Sequence, residues 1–90
     1  MTAHPLAPSL DTAAATPLRA ELLTRIEQRQ PLLLDGSAVT RVGQACLQVL
    51  AGARAAAAAE GLPFAVADPS EPLRDMAATA RLDAVLEPLG

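Results

Sequence analysis

Hydrophobic positions along the chain alternate between helical spacing and short continuous runs. Leu18, Leu22 and Ile26 recur every four residues with charged residues between them, which is typical of an amphipathic surface helix. Residues 32–34 are three consecutive leucines between Pro31 and an Asp-Gly turn, a pattern that favours a strand buried on both faces. The helix should end before Pro31, because the residue that precedes a proline is pushed out of helical geometry.

A second helical pattern begins near Gly43 and continues to about Glu60, where Gly61 should stop it in a left-handed conformation. At about 100° per residue, one face of this helix collects the side chains that we expect in the core. They are Cys46, Val49, Leu50, Ala53 and Ala57. The opposite face carries almost no charge before Arg54, and we expect its one leucine to be exposed. It consists of Gln44, Leu47, Gln48, Ala51 and Ala55, with Gly52 and Ala58 at its margins.

The remaining elements are shorter. Residues 6–10 can form one short strand that ends at Asp11, which caps the first helix, and Pro17 should restart or bend that helix. Residues 64–67 alternate large and small side chains, as in a half-buried strand. Ser70 can cap a third helix with Pro72 in its first turn, and residues 82–86 could be strand or helix.

This order of strand–helix units predicts parallel pairing with right-handed crossovers. The predicted fold is a single small α/β domain over residues 9–90, with a mostly parallel sheet of about four short strands and three to four helices. Residues 1–8, which contain two prolines and no periodic pattern, are interpreted as an N-terminal tail or a short edge strand.

Composition excludes several classes of function. The net charge is −3, lysine is absent, the seven arginines are scattered, and Phe64 is the only aromatic residue, so nucleic-acid binding is not expected. No apolar run approaches the roughly 20 residues that cross a bilayer, and the first residues do not resemble a secretory signal. We therefore expect a cytoplasmic protein without direct membrane insertion. Cys46, the single cysteine, should be a buried and unreactive thiol.

The residues with catalytic potential are poorly placed for catalysis. Ser37 lies outside a G-x-S-x-G elbow, and the only histidine, His4, lies in the tail. Asp35 is interpreted as a turn residue whose carboxylate accepts from nearby amides. We expect no catalytic residue, no metal and no cofactor, and hence no enzyme. The alternative is an enzyme or small-molecule binder that uses Asp35 and Ser37 beside a deep pocket.

The charge-poor face of the second helix favours a protein interface, because interface centres are depleted of charge. Alanine could instead simply supply helix propensity on a harmless face. A third alternative is a homodimer in which this face pairs with its own copy.

The segment LDGSAVTRVGQACLQVL resembles the central motif of the STAS domain, the fold of bacterial anti-sigma factor antagonists. In that motif a strand precedes D-L-S-x-V-x-x-V/I/M-D-S/T-S/G-G-L and a helix. The matching residues here are Asp35, Ser37, Val39, Val42 and Leu47. SLDTAAATPLRAELL is similar to the family's first helix, and FAVADPSEPLRDM to its later strand and third helix. The N-terminal stretch is short for the family's two opening strands.

The resemblance also implies a missing switch. The family's Asp followed by a phosphorylatable Ser or Thr falls on Gly43 and Gln44, and glutamine cannot be phosphorylated. Gln44 is thus the position of the family phosphosite, while Ser37 and Thr40 are weaker candidate phosphosites nearby. The chain is interpreted as a short stand-alone bacterial form of the domain that lacks the usual phosphorylatable residue.

The resemblance implies a non-catalytic adaptor in signal transduction. Its partner would be a kinase-like regulator of the anti-sigma or chemotaxis type, bound through the N-terminal part of the second helix. The alternative is the cytosolic STAS subunit of a phospholipid-transport ABC complex, bound to the ABC ATPase. The residues predicted to bind the partner are Thr40, Arg41, Gln44, Leu47, Gln48 and Ala51.

Overall fold

The computed structural model describes residues 3–87, so the ends of the predicted segments 1–8 and 9–90 lie outside the described residues. Within residues 3–87, three α-helices and five short strands form an α/β fold, as predicted, and a 3-10 turn follows at Asp83–Leu86. In chain order the elements are β1 (His4–Pro5), β2 (Ser9–Leu10), α1 (Thr12–Glu27), β3 (Leu32–Asp35), β4 (Arg41–Val42), α2 (Gln44–Ala59), β5 (Phe64–Ala67) and α3 (Glu71–Thr79).

The strands form two small parallel sheets. In the first, β3 lies between β1 and β5, with Leu32 opposite Phe64 and Leu34 opposite Val66. The second pairs β2 with β4. The parallel pairing that we predicted is confirmed.

The strand boundaries near the N-terminus differ from the prediction. The single strand expected over residues 6–10 is wrong: this stretch contains only the two-residue strand β2, and the two-residue strand β1 precedes it. Pro5 and Pro8 have no amide hydrogen, so a continuous ladder is interrupted there. The amide of Leu6 still donates to the Asp35 carbonyl at 2.9 Å, after which the chain moves from β3 to β4.

A residue of positive φ follows the C-cap of each of these helices. The three residues are Arg29, Gly61 and Arg81. Gly61 plays the role predicted for it. At the end of α1, the guanidinium of Arg29 donates to the carbonyl of Glu60 at 3.0 Å, which ties the C-terminal ends of α1 and α2 together. The restart that we expected at Pro17 is wrong, because α1 continues through this residue. The carbonyl of the exposed Ala13, which loses its helical donor to the proline, can bind water instead.

The core is built from leucines, valines and alanines around Phe64, whose side chain is fully buried. Leu32 and Leu34 point into this core from β3, while Leu33 on the other face of the strand is only half-buried. The strand is therefore as predicted, but it is not buried equally on both faces.

The orientation of α2 differs from our prediction at two positions. Leu47 is 0% exposed, so its placement on an exposed binding face is wrong; Val49, predicted in the core, is half-buried. The helix packs against α1 on one side and against β5 and the 3-10 turn on the other. Because both sides are covered, the buried arc is wide and lies further towards Leu47 than the spacing of the apolar residues indicates.

Candidate functional site

The turn after β3 is held by its own aspartate. The Asp35 carboxylate accepts a hydrogen bond from the amide of Ser37 at 2.9 Å, which confirms the interpretation of Asp35 as a turn residue. This backbone hydrogen bond, followed by one from the Ser37 hydroxyl, lowers the pKa of Asp35. Both groups of Ser37 therefore stabilise the turn, and a phosphate on Ser37 would place its charge beside the carboxylate.

We expect the stability contributed by Asp35 to depend on pH. Its pKa is lowered in the folded protein, so the carboxylate stabilises the folded state above the unfolded pKa of about 4. That contribution is lost as the pH falls through the folded pKa. Urea unfolding should show a wild-type advantage over Asp35→Asn at pH 7 that shrinks below about pH 4. Ser37→Ala keeps the main donor, the amide of residue 37, and removes only the hydroxyl. In this background the difference in stability between aspartate and asparagine at position 35 should be smaller but still present. A difference between wild type and Asp35→Asn that does not change with pH would contradict the role of the Asp35 carboxylate in the turn.

Thr40 directly precedes β4 and Arg41 begins it, and the N-terminal segment binds the backbone of both residues. The carbonyl of Pro8 accepts from the amide and the hydroxyl of Thr40 at 2.8 and 3.1 Å, and from the amide of Arg41 at 3.2 Å. Both side chains are exposed. Thr40 thus has a structural hydrogen bond that phosphorylation of its hydroxyl would break.

The N-terminus of α2 carries no compensating negative charge. Gly43 occupies the N-cap without a side-chain hydrogen bond, and no acidic residue lies in the first turn. The amide of Gly43 donates to the Leu10 carbonyl at 2.8 Å, which positions the helix start against β2. The positive end of the helix dipole and the exposed Arg41 therefore lie close together in the chain, at one end of the outer face of α2.

The outer face of α2 is neutral. Gln44, Gln48 and Gly52 are exposed along it, and the exposed Ala55 continues it. Of the six residues predicted to bind a partner, the structure places Gln44 and Gln48 on this surface, with Thr40 and Arg41 at its N-terminal end. Ala51 is half-buried at its margin, and Leu47 lies beneath it in the core.

An apolar groove runs beside this face, between α1 and α2. Its volume is about 310 Å³, and it was not predicted from the sequence. It is lined by Arg19, Leu22, Leu23, Gln48, Val49, Gly52 and Ala53. The signal that could have indicated it is Gly52, a glycine in the middle of a helix.

Groups with chemical reactivity lie elsewhere. Cys46 is buried as predicted, and its thiol donates to the carbonyl of Asp11 at 3.2 Å. Burial raises the pKa of the Cys46 thiol, and the nearby charge of Asp11 raises it further. His4, in the segment interpreted as a tail, is half-buried, with Nε2 2.6 Å from the Glu21 carboxylate. Over residues 3–87, no three His, Cys, Asp or Glu side chains are grouped so that they could hold a metal ion.

Comparison with known families identifies the fold. The family model described as "Mlab, STAS domain" matches residues 5–88, which is nearly the whole sequence. The chain belongs to the STAS-domain family. No significant match was found among the curated proteins, and none among the solved structures. STAS domains are in general non-enzymatic regulatory domains, and they commonly bind protein partners.

None of the helices described is both long enough and apolar enough to span a bilayer.

Proposed function

We propose that this STAS domain is a non-catalytic adaptor that binds a protein partner through the N-terminal half of α2. We define the α2 surface as the exposed side chains of Gln44 and Gln48 together with Gly52. The observation that carries the proposal is the absence of charge from this surface, although it is solvent-exposed and lies in an arginine- and glutamate-containing chain. Two glutamines and a glycine can be desolvated at lower cost than charged side chains.

The partner that we favour is a kinase-like regulator of the anti-sigma or chemotaxis type. In the motif that the family carries, the phosphorylatable residue corresponds to Gln44, the first residue of α2. Glutamine presents a neutral, hydrogen-bonding side chain there. The interaction would then be constitutive, because the partner cannot be expelled by a phosphate at this position.

A second candidate is the cytosolic STAS subunit of a phospholipid-transport ABC complex, whose partner would be the ABC ATPase. The description of the matching family names Mlab and no anti-sigma factor antagonist, which supports this second class of partner. Both candidates use the same α2 surface. Mass spectrometry of what co-purifies with the chain from its native cell separates a signalling kinase from an ABC ATPase.

Gln44→Glu is the sharpest test of the α2 surface. A carboxylate in the first turn interacts favourably with the helix dipole, so this substitution should maintain or slightly raise stability. At the same time it places an unpaired charge in the interface, where desolvation is costly. We expect Gln44→Glu and Gln48→Glu each to reduce affinity for the co-purified partner by about tenfold or more, equivalent to roughly 1.4 kcal/mol.

The matched control is Ala78→Glu, which adds the same charge to an exposed position on α3. Its affinity should equal that of the wild type in isothermal titration. Undiminished binding by both α2 variants, with unchanged circular dichroism, would show that the partner uses another surface.

A further inference from the structure

Gly52 has no role within the chain that requires glycine. It lies in the middle of α2, its φ is not positive, and a Cβ added to it would meet no atom within 4 Å. Its neighbours Ala51 and Ala53 show that alanine is readily used in this helix, and glycine is the weakest helix former apart from proline. The missing side chain leaves the α2 wall of the α1–α2 groove open.

The groove is suited to an apolar group. Leu23 and Val49 are half-buried and line it, and the covered Leu22 and Ala53 form its base. Its volume is about 310 Å³, and it is continuous with the α2 surface through Gln48 and Gly52. A side chain from a partner that docks on the α2 surface can therefore enter the groove in the same contact.

The charges around the groove select the partner's chemistry. Arg19 lines the groove and Arg41 lies at the N-terminal end of the α2 surface. Neither forms an ion pair within residues 3–87, whereas Arg25 and Arg29 are paired with Glu21 and Glu60. The net negative charge is located elsewhere: residues 1–60 have as many arginines as carboxylates, and residues 61–90 carry the whole excess of three. The groove side of the molecule thus offers unpaired positive charge to an acidic partner.

We propose that the α1–α2 groove receives an aliphatic side chain of the partner, from a segment whose flanking carboxylates pair with Arg19 and Arg41. This inference rests on the proposed function and specifies the partner's recognition element. It predicts that the bound segment contains a leucine, isoleucine, valine or methionine with Asp or Glu within one helical turn on either side.

Photo-crosslinking in the native cell tests the inference. A photoreactive phenylalanine analogue is placed in the full chain at position 44 on the α2 surface, at position 23 on the α1 wall of the groove, or at position 78 on α3. Mass spectrometry then identifies the attached segment. We expect positions 44 and 23 to crosslink to another protein, with position 23 attached to an aliphatic, acid-flanked segment, and position 78 to give no such product.

The outcomes separate the inference from the proposed function. Crosslinks at 44 but none at 23 would leave the α2 surface as the docking site and refute occupation of the groove. Attachment of position 23 to a basic segment, or to a second copy of this chain, would also refute it. Absence of crosslinks at both 44 and 23 would refute the proposed function together with the inference.

Binding variants give a second readout on the purified complex. Gly52→Leu places an apolar side chain at the groove, and its Cβ meets no atom within 4 Å. We therefore expect a stable fold with at least about tenfold weaker binding. Ala78→Leu, the same enlargement on α3, should leave affinity unchanged. Arg19→Glu should weaken binding by about two- to fivefold, with a larger effect at low salt, whereas Arg74→Glu should not. Unchanged affinity of Gly52→Leu would overturn the proposal.

Discussion

Leu47→Ala is expected to destabilise the domain by about 2–5 kcal/mol, because it leaves a cavity in a core position that is completely buried. Small domains have unfolding free energies of about 5–15 kcal/mol, so this single change could remove much of the total. Urea denaturation followed by far-UV circular dichroism would measure the loss as a lower midpoint at unchanged slope.

Val49→Ala is the comparison that decides the orientation of α2. Val49 is half-buried against the groove, so we expect a clearly smaller loss of stability than for Leu47→Ala. The reverse order, with Val49→Ala the more destabilising change, would support the helix orientation predicted from sequence and contradict the structure.

The burial of Leu47 also determines which variants can report on binding. A charged residue at position 47 would be buried without a partner, and the domain would unfold. Loss of binding by Leu47→Glu would therefore reflect loss of the fold. Gln44 and Gln48, whose side chains are exposed, are the positions at which a charge tests the surface itself.

Most element boundaries could be predicted because particular residues start and stop them. Asp11 and Ser70 accept amide hydrogens at the starts of α1 and α3, and Gly61 ends α2 in a left-handed conformation, all from local chemistry. The three leucines of β3 and the alternation in β5 identify the central strands for the same reason: burial is set by their own pattern.

The orientation of α2 could not be predicted because the helix has few residues that define an outer face. Eight of its sixteen residues are alanine, and before Arg54 only Gln44 and Gln48 are polar. Alanine is tolerated in the core and at the surface alike, so periodicity allows the buried arc to shift by about one residue position. Packing against α1, β5 and the 3-10 turn determines the orientation, and these contacts are non-local.

Two other features depend on contacts between distant parts of the chain. β4 has only two residues. It forms because the carbonyls of Pro8 and Leu10 accept hydrogen bonds from backbone amides within residues 40–43. The α1–α2 groove requires two helices to meet around Gly52, so neither helix reveals it alone. The α2 surface was predicted in outline from its lack of charge. The groove beside it, and Arg19 of α1 at the edge of that groove, are evident only from the fold.

Gly36→Ala is expected to destabilise the domain by about 1–3 kcal/mol, the usual range for overpacking of a core site. A Cβ at this buried position would lie 2.9 Å from Leu73 Cδ2, 3.0 Å from Val66 Cγ1 and 3.2 Å from the Cα of Pro69. The Leu73 side chain could turn away, but the backbone at Pro69 is tied to the same turn, because the amide of Ser70 donates to the Gly36 carbonyl at 3.1 Å.

Gly52→Ala is the matched control, since the same methyl group is added where no atom lies within 4 Å. In the middle of a helix this change should raise stability by about 0.8–1.0 kcal/mol. Urea unfolding of the two variants should therefore give shifts of opposite sign. If Gly36→Ala were neutral, the close packing of the turn against α3 would be wrong. If Gly52→Ala were destabilising, the open groove would be wrong, and with it the reason for a glycine in α2.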